Sequence, residues 1–509
     1  MSQPGTVLWL ARHELRVTWR DWIAMMTAGR RRRFRRVAIW LVIFAILMHL
    51  LAFSMVARYA DVGLDAGKSA LVAITGSALL SWCLMLSQAM ESVTRAFYTR
   101  ADLDLLLSSP IAARRVFGVR IGAMALSIAI MAGLLAAPFI NAIALVGGAR
   151  WLAAYGVVVA LALTATALAV ALTVTLFRLI GARRTRVAAQ IVAAVIGAGF
   201  VIGLQAAAIL SYGTLSRVAF LQSATVLGHA PAVDSILWWP ARAVLGDVTA
   251  LAAVLATSLL LLAAAILLFA PRFGDHAIAA AGVSQQSVAR RHRRSGFRRV
   301  SPAGALRAKE WALLRRDPWL ISQTLMQLLY LLPPALLLWF SYRDHNGGTA
   351  LLVPVLIMAA GQLGGGLAWL AISGEDAPDL VATAPVSAGR ALTAKVEAVL
   401  GGIAMVFGPF ALALAFVAPI EATVAVGGIL LAAASATAIQ LAFRTQAKRS
   451  HFRRRQISSR IATFAEALSS IGWAATGAFA AAGTWVAVIP GVLALAILGG
   501  AWLISPARG

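Results

Sequence analysis

The chain has 509 residues, with 45 Lys and Arg against 19 Asp and Glu, for a net charge of +26. An apolar share of 61% and a charged share of only 13% exclude an ordinary soluble protein, where about 45–50% and about 25% are usual, and point to a polytopic membrane protein. The single cysteine, Cys83, excludes an intramolecular disulfide framework and any cysteine-built metal cluster; it lies in an apolar run and reads as a small packing residue.

A helix needs about 20 mostly apolar residues to cross the hydrocarbon core. Twelve stretches meet that requirement: 37–57, 69–90, 117–146, 151–177, 187–212, 248–270, 319–342, 350–373, 396–417, 420–443, 461–484 and 486–504. The third contains Pro138 and reads as a kinked span or a span with a re-entrant piece. The last two share a tight turn near Pro490. No cleavable signal pattern is evident, because the first apolar stretch follows the basic segment 1–36 and is long enough to span.

Basic residues favour cytoplasmic loops. With the N-terminus inside, 39 of the 45 Lys and Arg fall on the inner side of a twelve-span chain. The outer side keeps Arg58, Lys68, Arg150, Arg217, Arg242 and Arg343, balanced by Asp61, Asp65, Asp234, Asp247, Asp344 and Glu421. The basic excess therefore reads as topology, with both termini cytoplasmic. The runs Arg30–Arg33, Arg290–Arg294 (interrupted by His292) and Arg453–Arg455 each abut a span or join the halves, so attraction to anionic lipid explains them and no nucleic-acid partner is expected. Arg outnumbers Lys 41 to 4, a bias expected of a GC-rich bacterial genome, which places the chain in a bacterial inner membrane.

The two halves echo each other. Residues 10–21 (LARHELRVTWRD) and 306–317 (LRAKEWALLRRD) match at Leu10/Leu306, Glu14/Glu310, Arg20/Arg316 and Asp21/Asp317. Both segments are charged and amphipathic and read as helices on the cytoplasmic membrane surface. Residues 102–120, after the second span, and 377–395, after the eighth, match at Asp104/Asp379, Leu105/Leu380, Pro110/Pro385, Ala113/Ala388 and Arg115/Arg390, with Leu106/Val381, Ser108/Thr383, Ile111/Val386 and Arg120/Lys395 conservative. Asp, Pro and Arg in one register in the same topological loop favour a duplication over chance. The expected architecture is all-α: residues 1–270 form a first six-span repeat, 271–303 a basic cytoplasmic linker, and 304–509 a second, parallel repeat.

Chemistry-bearing patterns are sparse. GLDAGKS (63–69) lacks the spacing of a phosphate-binding loop. Seven histidines show no metal-ligand spacing, and His49, inside the first span, reads as a hydrogen-bonded packing residue. Neither paired carboxylates nor a nucleophile elbow stands out. Glu466 lies about one turn inside the eleventh span, where a pair with Arg460 or a basic loop residue is the simplest expectation. In the longest outer segment, 213–247, Trp238, Trp239 and Pro240 read as an interfacial aromatic anchor or as a candidate external gate.

On the loops 102–120 and 377–395, the amphipathic segment with Glu14 and Asp21, and the WWP segment ahead of the sixth span, the chain resembles permeases of the ATP-binding-cassette exporter superfamily, second exporter type. The resemblance implies a six-span unit opened by a surface helix, and a short coupling helix after its second span that docks on a separate ATPase subunit. It implies contacts to one ATPase from Asp104, Leu105, Leu106, Ser108, Pro110 and Arg115, and to another from Asp379, Leu380, Thr383, Pro385 and Arg390. It places Glu14, Asp21, Glu310 and Asp317 on the surface helices. No bound cofactor is implied, ATP acting through the partner. Two features depart from the family pattern: two units fused in one chain, and a second half without the long outer loop. The expected function is a non-catalytic permease exporting a hydrophobic or amphipathic substrate. The alternatives are a twelve-span carrier driven by an ion gradient, which the scarcity of mid-membrane acids disfavours, and a membrane protein with no transport role.

Overall fold

The structure, a computed structural model, describes residues 6–27, 34–57, 67–98, 112–212, 220–282, 301–316, 352–373, 387–443 and 460–505, together with positions 329, 336, 383 and 385. Every extended element among them is a helix: α1 Val7–Thr27, α2 Phe34–Val56, α3 Lys68–Tyr98, α4 Ala113–Gly147, α5 Ala153–Tyr212, α6 Ala224–His229, α7 Trp239–Val244, α8 Val248–Gly282, α9 Pro302–Arg316, α10 Leu352–Ser373, α11 Ala388–Val417, α12 Pro419–Ala442, α13 Arg460–Ala481 and α14 Val488–Ile504. Two compact units result, one from Met1–Ala208 with Leu215–Arg291, the other from Ile209–Thr214 with His292–Gly509.

Among the described residues, nine helical stretches are long and apolar enough to cross a membrane. They coincide with the expected second to sixth, eighth to tenth and twelfth spans. The first expected span is helical in α2, whose sequence from Val37 to Val56 is apolar apart from His49 and Ser54. The eleventh corresponds to α13, a 22-residue helix whose hydropathy is diluted by Glu466, Ser469, Ser470 and Thr476. The seventh, 319–342, lies outside the described residues apart from positions 329 and 336. Large apolar side chains face outward along these helices, among them Val42, Ile46, Leu50 and Phe53 on α2 and Leu260, Leu267 and Leu268 on α8. Such faces suit a lipid solvent, and helices satisfy their own backbone hydrogen bonds there.

The third span is one continuous helix, α4, with Pro138 inside it. Its last turn closes on Gly148, at φ +95°, whose N–H donates to the Ala144 carbonyl at 3.0 Å. A side chain is strained at such a φ, so glycine suits the turn into the short 3-10 segment Ala149–Leu152. The fourth and fifth spans form α5 with a break at Gly181, where φ is +72° and ψ +163°. That break lies in the expected basic loop between the two spans.

In the first unit, Met90 and Val93 of α3, Phe117 and Ile121 of α4, Val170 and Val174 of α5 and Ala265 of α8 share one apolar core. Trp82 of α3 donates its indole N–H to Thr164 of α5 at 3.1 Å across this core. In the second unit α10 is central, packing against α11, α12 and α13, with α14 against α13. Its antiparallel contact with α13 is a series of glycine hollows. A Cβ at Gly365 would overlap the Glu466 carboxyl, one at Gly361 would overlap Ser470, and Ile357 of α10 fills the space left by Gly477 of α13. Small residues at these points allow the backbones the close approach that dispersion between membrane helices requires.

Candidate functional site

The most densely charged site among the described residues lies where α9 meets α10 and α11. Ser301 starts α9: its hydroxyl accepts from the Gly304 N–H at 3.2 Å, and Pro302 takes the first helical position. Two turns on, Glu310 is 1% exposed. The Lys395 ammonium of α11 lies 3.1 Å from Glu310 Oε1 and 3.2 Å from Oε2, and it donates to the Ala371 carbonyl of α10 at 2.5 Å. Lys309 approaches the same carboxylate at 3.3 Å. Each charged group at the centre thus has a partner, which a buried ion pair requires.

A second pair flanks the first. Arg307 donates from Nε to Glu397 Oε2 at 2.5 Å and from a terminal nitrogen to Oε1 at 3.0 Å, a bidentate contact on an accessible surface. The Glu397 carboxylate raises the Arg307 guanidinium above its ordinary value, through the hydrogen bond first and charge second. Trp311 lies against the backbone of Gly401, where a Cβ would come 3.1 Å from its ring. Three contacts along one face of α9, at positions i, i+3 and i+4, therefore fasten it to α11.

Glu310 was expected on a membrane-surface helix. It does lie on such a charged amphipathic segment, but its carboxylate turns inward and Lys395 covers it. Helix α10 ends two residues after Ala371 and α11 begins seven residues before Lys395, so Lys395 joins the two stems of the loop between them to α9. In the first unit, α1 packs against α4, with Glu14 half-buried on the former and Arg120 on the latter.

The expected coupling residues are placed as follows. Asp104, Leu105, Leu106, Ser108, Pro110, Asp379 and Leu380 lie outside the described residues, as does Asp317. Thr383 and Pro385 are exposed. Arg115 and Arg390 are both exposed and both occupy the third position of the helix that follows their loop, α4 and α11. Asp21 lies near the end of α1.

In segment 213–247, residues Ile236–Trp238 form a 3-10 turn that runs into α7 with Pro240 at its start. Trp238 is 5% exposed, packs with Leu71, Val72 and Ala241, and donates to the Ala232 carbonyl at 3.0 Å. Trp239 is more open, at 36%, and Pro240 is half-buried. The segment is thereby anchored on α3, with the Trp239 ring left toward the surroundings. Asp247 then caps α8, accepting from the N–H groups of Thr249 at 2.9 Å and Ala250 at 3.1 Å and from the Thr249 hydroxyl at 2.6 Å. These bonds, the hydroxyl's foremost, hold its carboxyl below the usual carboxylate range. The second unit has a local analogue that its short final turn concealed: a 3-10 turn, Trp485–Ala487, leads into α14 with Pro490 in its first turn.

Two polar contacts inside the bundles went unanticipated in detail. His49 of α2 bonds through Nδ1 to the Ala45 carbonyl at 2.7 Å and through Nε2 to the Asn141 amide of α4 at 3.1 Å, and Asn141 accepts from Tyr155 of α5 at 2.8 Å. Asn141, polar within an apolar run, was the available signal. Glu466 accepts from the Gln440 amide of α12 at 2.6 Å, a neutral partner; the basic loop residues 444–459 and the Arg460 side chain, expected as its counter-charge, lie outside the described residues. No group of His, Cys, Asp and Glu among the described residues could hold a metal ion.

These features define a multi-pass helical membrane protein, of the kind that includes transporters. In comparisons with known proteins, no family model, curated protein or solved structure matches the chain.

Proposed function

We propose that the protein is the permease of an ATP-driven exporter, two parallel six-span repeats in one chain, lying in a bacterial inner membrane with both termini cytoplasmic. It is not itself an enzyme. A separate cytoplasmic ATP-binding-cassette subunit hydrolyses ATP while docked on the loops 102–120 and 377–395.

The observation that carries this reading is the common design at the two loop exits. Helices α4 and α11 begin at Ala113 and Ala388, 275 residues apart, the same separation as Asp104 from Asp379 and Arg120 from Lys395. Each helix packs against the charged helix that opens its half, α1 or α9. In the second unit Lys395 ties both loop stems to Glu310, so a push on the loop is delivered to α9, α10 and α11 together. Rigid fastening of this kind suits a loop that transmits motion. Leu, Ser or Thr, Pro and Arg in such a loop offer an apolar ridge with a fixed turn to a groove in a soluble partner. Closure of two ATPase subunits would then pull on both loops and alternate access across the membrane. The scarcity of charge within the spans favours a hydrophobic or amphipathic cargo.

A photo-crosslinking amino acid at Ser108 or Thr383 in the full chain, expressed in its own cells, tests the reading. Capture of a soluble ATP-binding-cassette subunit from both positions is expected. Capture of lipid alone from both would sink it.

A further inference from the structure

Glu466 stands apart from everything the coupling loops require. It lies in the second turn of α13, the 22-residue helix enclosed by α10, α12 and α14. Its carboxyl rests against Gly365 of α10 so closely that no Cβ fits there. Gln440 of α12 donates to Oε2 at 2.6 Å, and this is the carboxyl's one hydrogen-bond partner among the described residues. One turn on along the same face, Ser470 meets Gly361. Ser469 and Ser470 are each 1% exposed, and neither hydroxyl has a hydrogen-bond partner among the described residues.

No positive charge faces this carboxyl from the described helices around it. Helix α10 carries no ionisable residue, and neither does the 3-10 turn with α14. Helix α12 carries Glu421 alone, in its first turn, whereas Gln440 is near its last. On α13 itself the other charged residue is Arg460, which opens the helix six positions earlier; its side chain, and Arg444, Lys448, Arg453, Arg454 and Arg455 of the segment that joins α12 to α13, lie outside the described residues. Trp473 and Ser435, deeper in the same bundle, bond to each other at 3.0 Å and are neutral.

A carboxylate in low-dielectric surroundings without a counter-charge is costly, and it is commonly neutralised by a proton or a metal ion. A metal ion needs several oxygens at coordination distance and room for itself. Here the Gly365 backbone fills the space beside the carboxyl, and its partner among the described residues is an amide. A proton needs no space.

We propose that Glu466 is a buried proton-binding site: as the neutral acid it lets α13 close on the glycine face of α10, and loss of its proton puts a charge into that contact that none of the described helices packed around it compensates, and parts the two helices. Binding forms one O–H bond on the carboxyl and neutralises one negative charge, with solvent supplying the proton and receiving it back. Glu466 and Gln440 lie at the end of the bundle from which segment 444–459 departs, so exchange occurs from that side. The site is independent of the exporter reading.

The test is infrared difference spectroscopy of the full-length protein in lipid nanodiscs at neutral pH, wild type against Glu466→Gln. A carbonyl stretch of an un-ionised carboxylic acid in the wild type, missing from the variant, is expected. The melting temperature of the wild type should also fall as the pH is raised, with that fall absent in Glu466→Gln, because the amide keeps the shape of the neutral acid and cannot ionise. If Glu466→Gln does not fold, Gln440→Leu serves instead: it removes the donor and should move the same carbonyl band to higher frequency. Loss of ionised-carboxylate bands alone in Glu466→Gln would overturn the proposal. So would identical pH dependence of melting in the two proteins, or a carbonyl band that Gln440→Leu leaves in place.

Discussion

Lys395 holds Glu310 at 3.1 Å and the Ala371 carbonyl at 2.5 Å with one ammonium group. Three helices distant in sequence therefore converge on a single side chain, and the carboxylate at the centre is 1% exposed. Replacing Glu310 with Ala leaves Lys395 largely buried and without its carboxylate. A loss of about 3–5 kcal/mol is expected, the range for removing one partner of a buried pair. Replacing both residues by apolar ones, Glu310→Leu with Lys395→Met, should recover most of that loss. Unfolding of wild type, Glu310→Leu, Lys395→Met and the double variant in one detergent measures this as a double-mutant cycle, and additive losses would show that the two groups are not coupled.

The neighbouring pair behaves differently. Arg307 and Glu397 are both accessible, at 57% and 40%, so water screens them and exposed pairs stabilise little. Arg307→Ala should lower the melting temperature far less than Glu310→Ala, and added salt should shrink the difference from wild type further. A larger loss for Arg307→Ala would reverse the ranking of the two contacts.

Gly365→Ala places a methyl group where the Glu466 carboxyl lies. Overpacking at a tight contact costs about 1–3 kcal/mol. Shortening the opposing side chain with Glu466→Ala in the same protein should return part of the lost stability. Thermal unfolding of Gly365→Ala alone and of the double variant checks this; a double variant less stable than either single change would contradict the steric account.

How far the sequence carried this picture depends on range. Apolar runs of span length are local properties, with their signature in consecutive residues. The coupling of Glu310 to Lys395 spans 85 positions. A charged helix of alternating character reads as a solvated surface unless its distant counter-charge is known. Glu466 shows the same limit from the other side. Opposite charge points to Arg460 or a basic loop residue, whose side chains lie outside the described residues, while a neutral donor, Gln440, is 26 positions away. His49 was legible as a hydrogen-bonded group from its place in an apolar run, but its partner Asn141 lies 92 positions on. The offset of 275 between the two loops recurs in the starts of α4 and α11.

Asp247 supplies a dependence on pH. Its carboxyl is held below the usual range by the Thr249 hydroxyl first, then by the Ala250 N–H. A depressed value means that the unfolded chain takes up its proton first as the pH falls. The cap's contribution is therefore complete above the ordinary aspartate range and is lost as the pH drops through the lowered folded value. The gap in melting temperature between wild type and Asp247→Ala should be open at neutral pH and close in acid. A gap that stays constant with pH would show that the carboxylate charge is not what caps α8.

The exporter account rests on a partner, and its most direct test is affinity purification of the full chain from its own cells, followed by measurement of the soluble ATP-binding-cassette subunit retained. The account predicts that this subunit copurifies with the wild type and is lost when Leu106→Asp with Pro110→Ala is combined with Leu380→Asp and Pro385→Ala. Full retention by that variant, or no such subunit with the wild type, would contradict it.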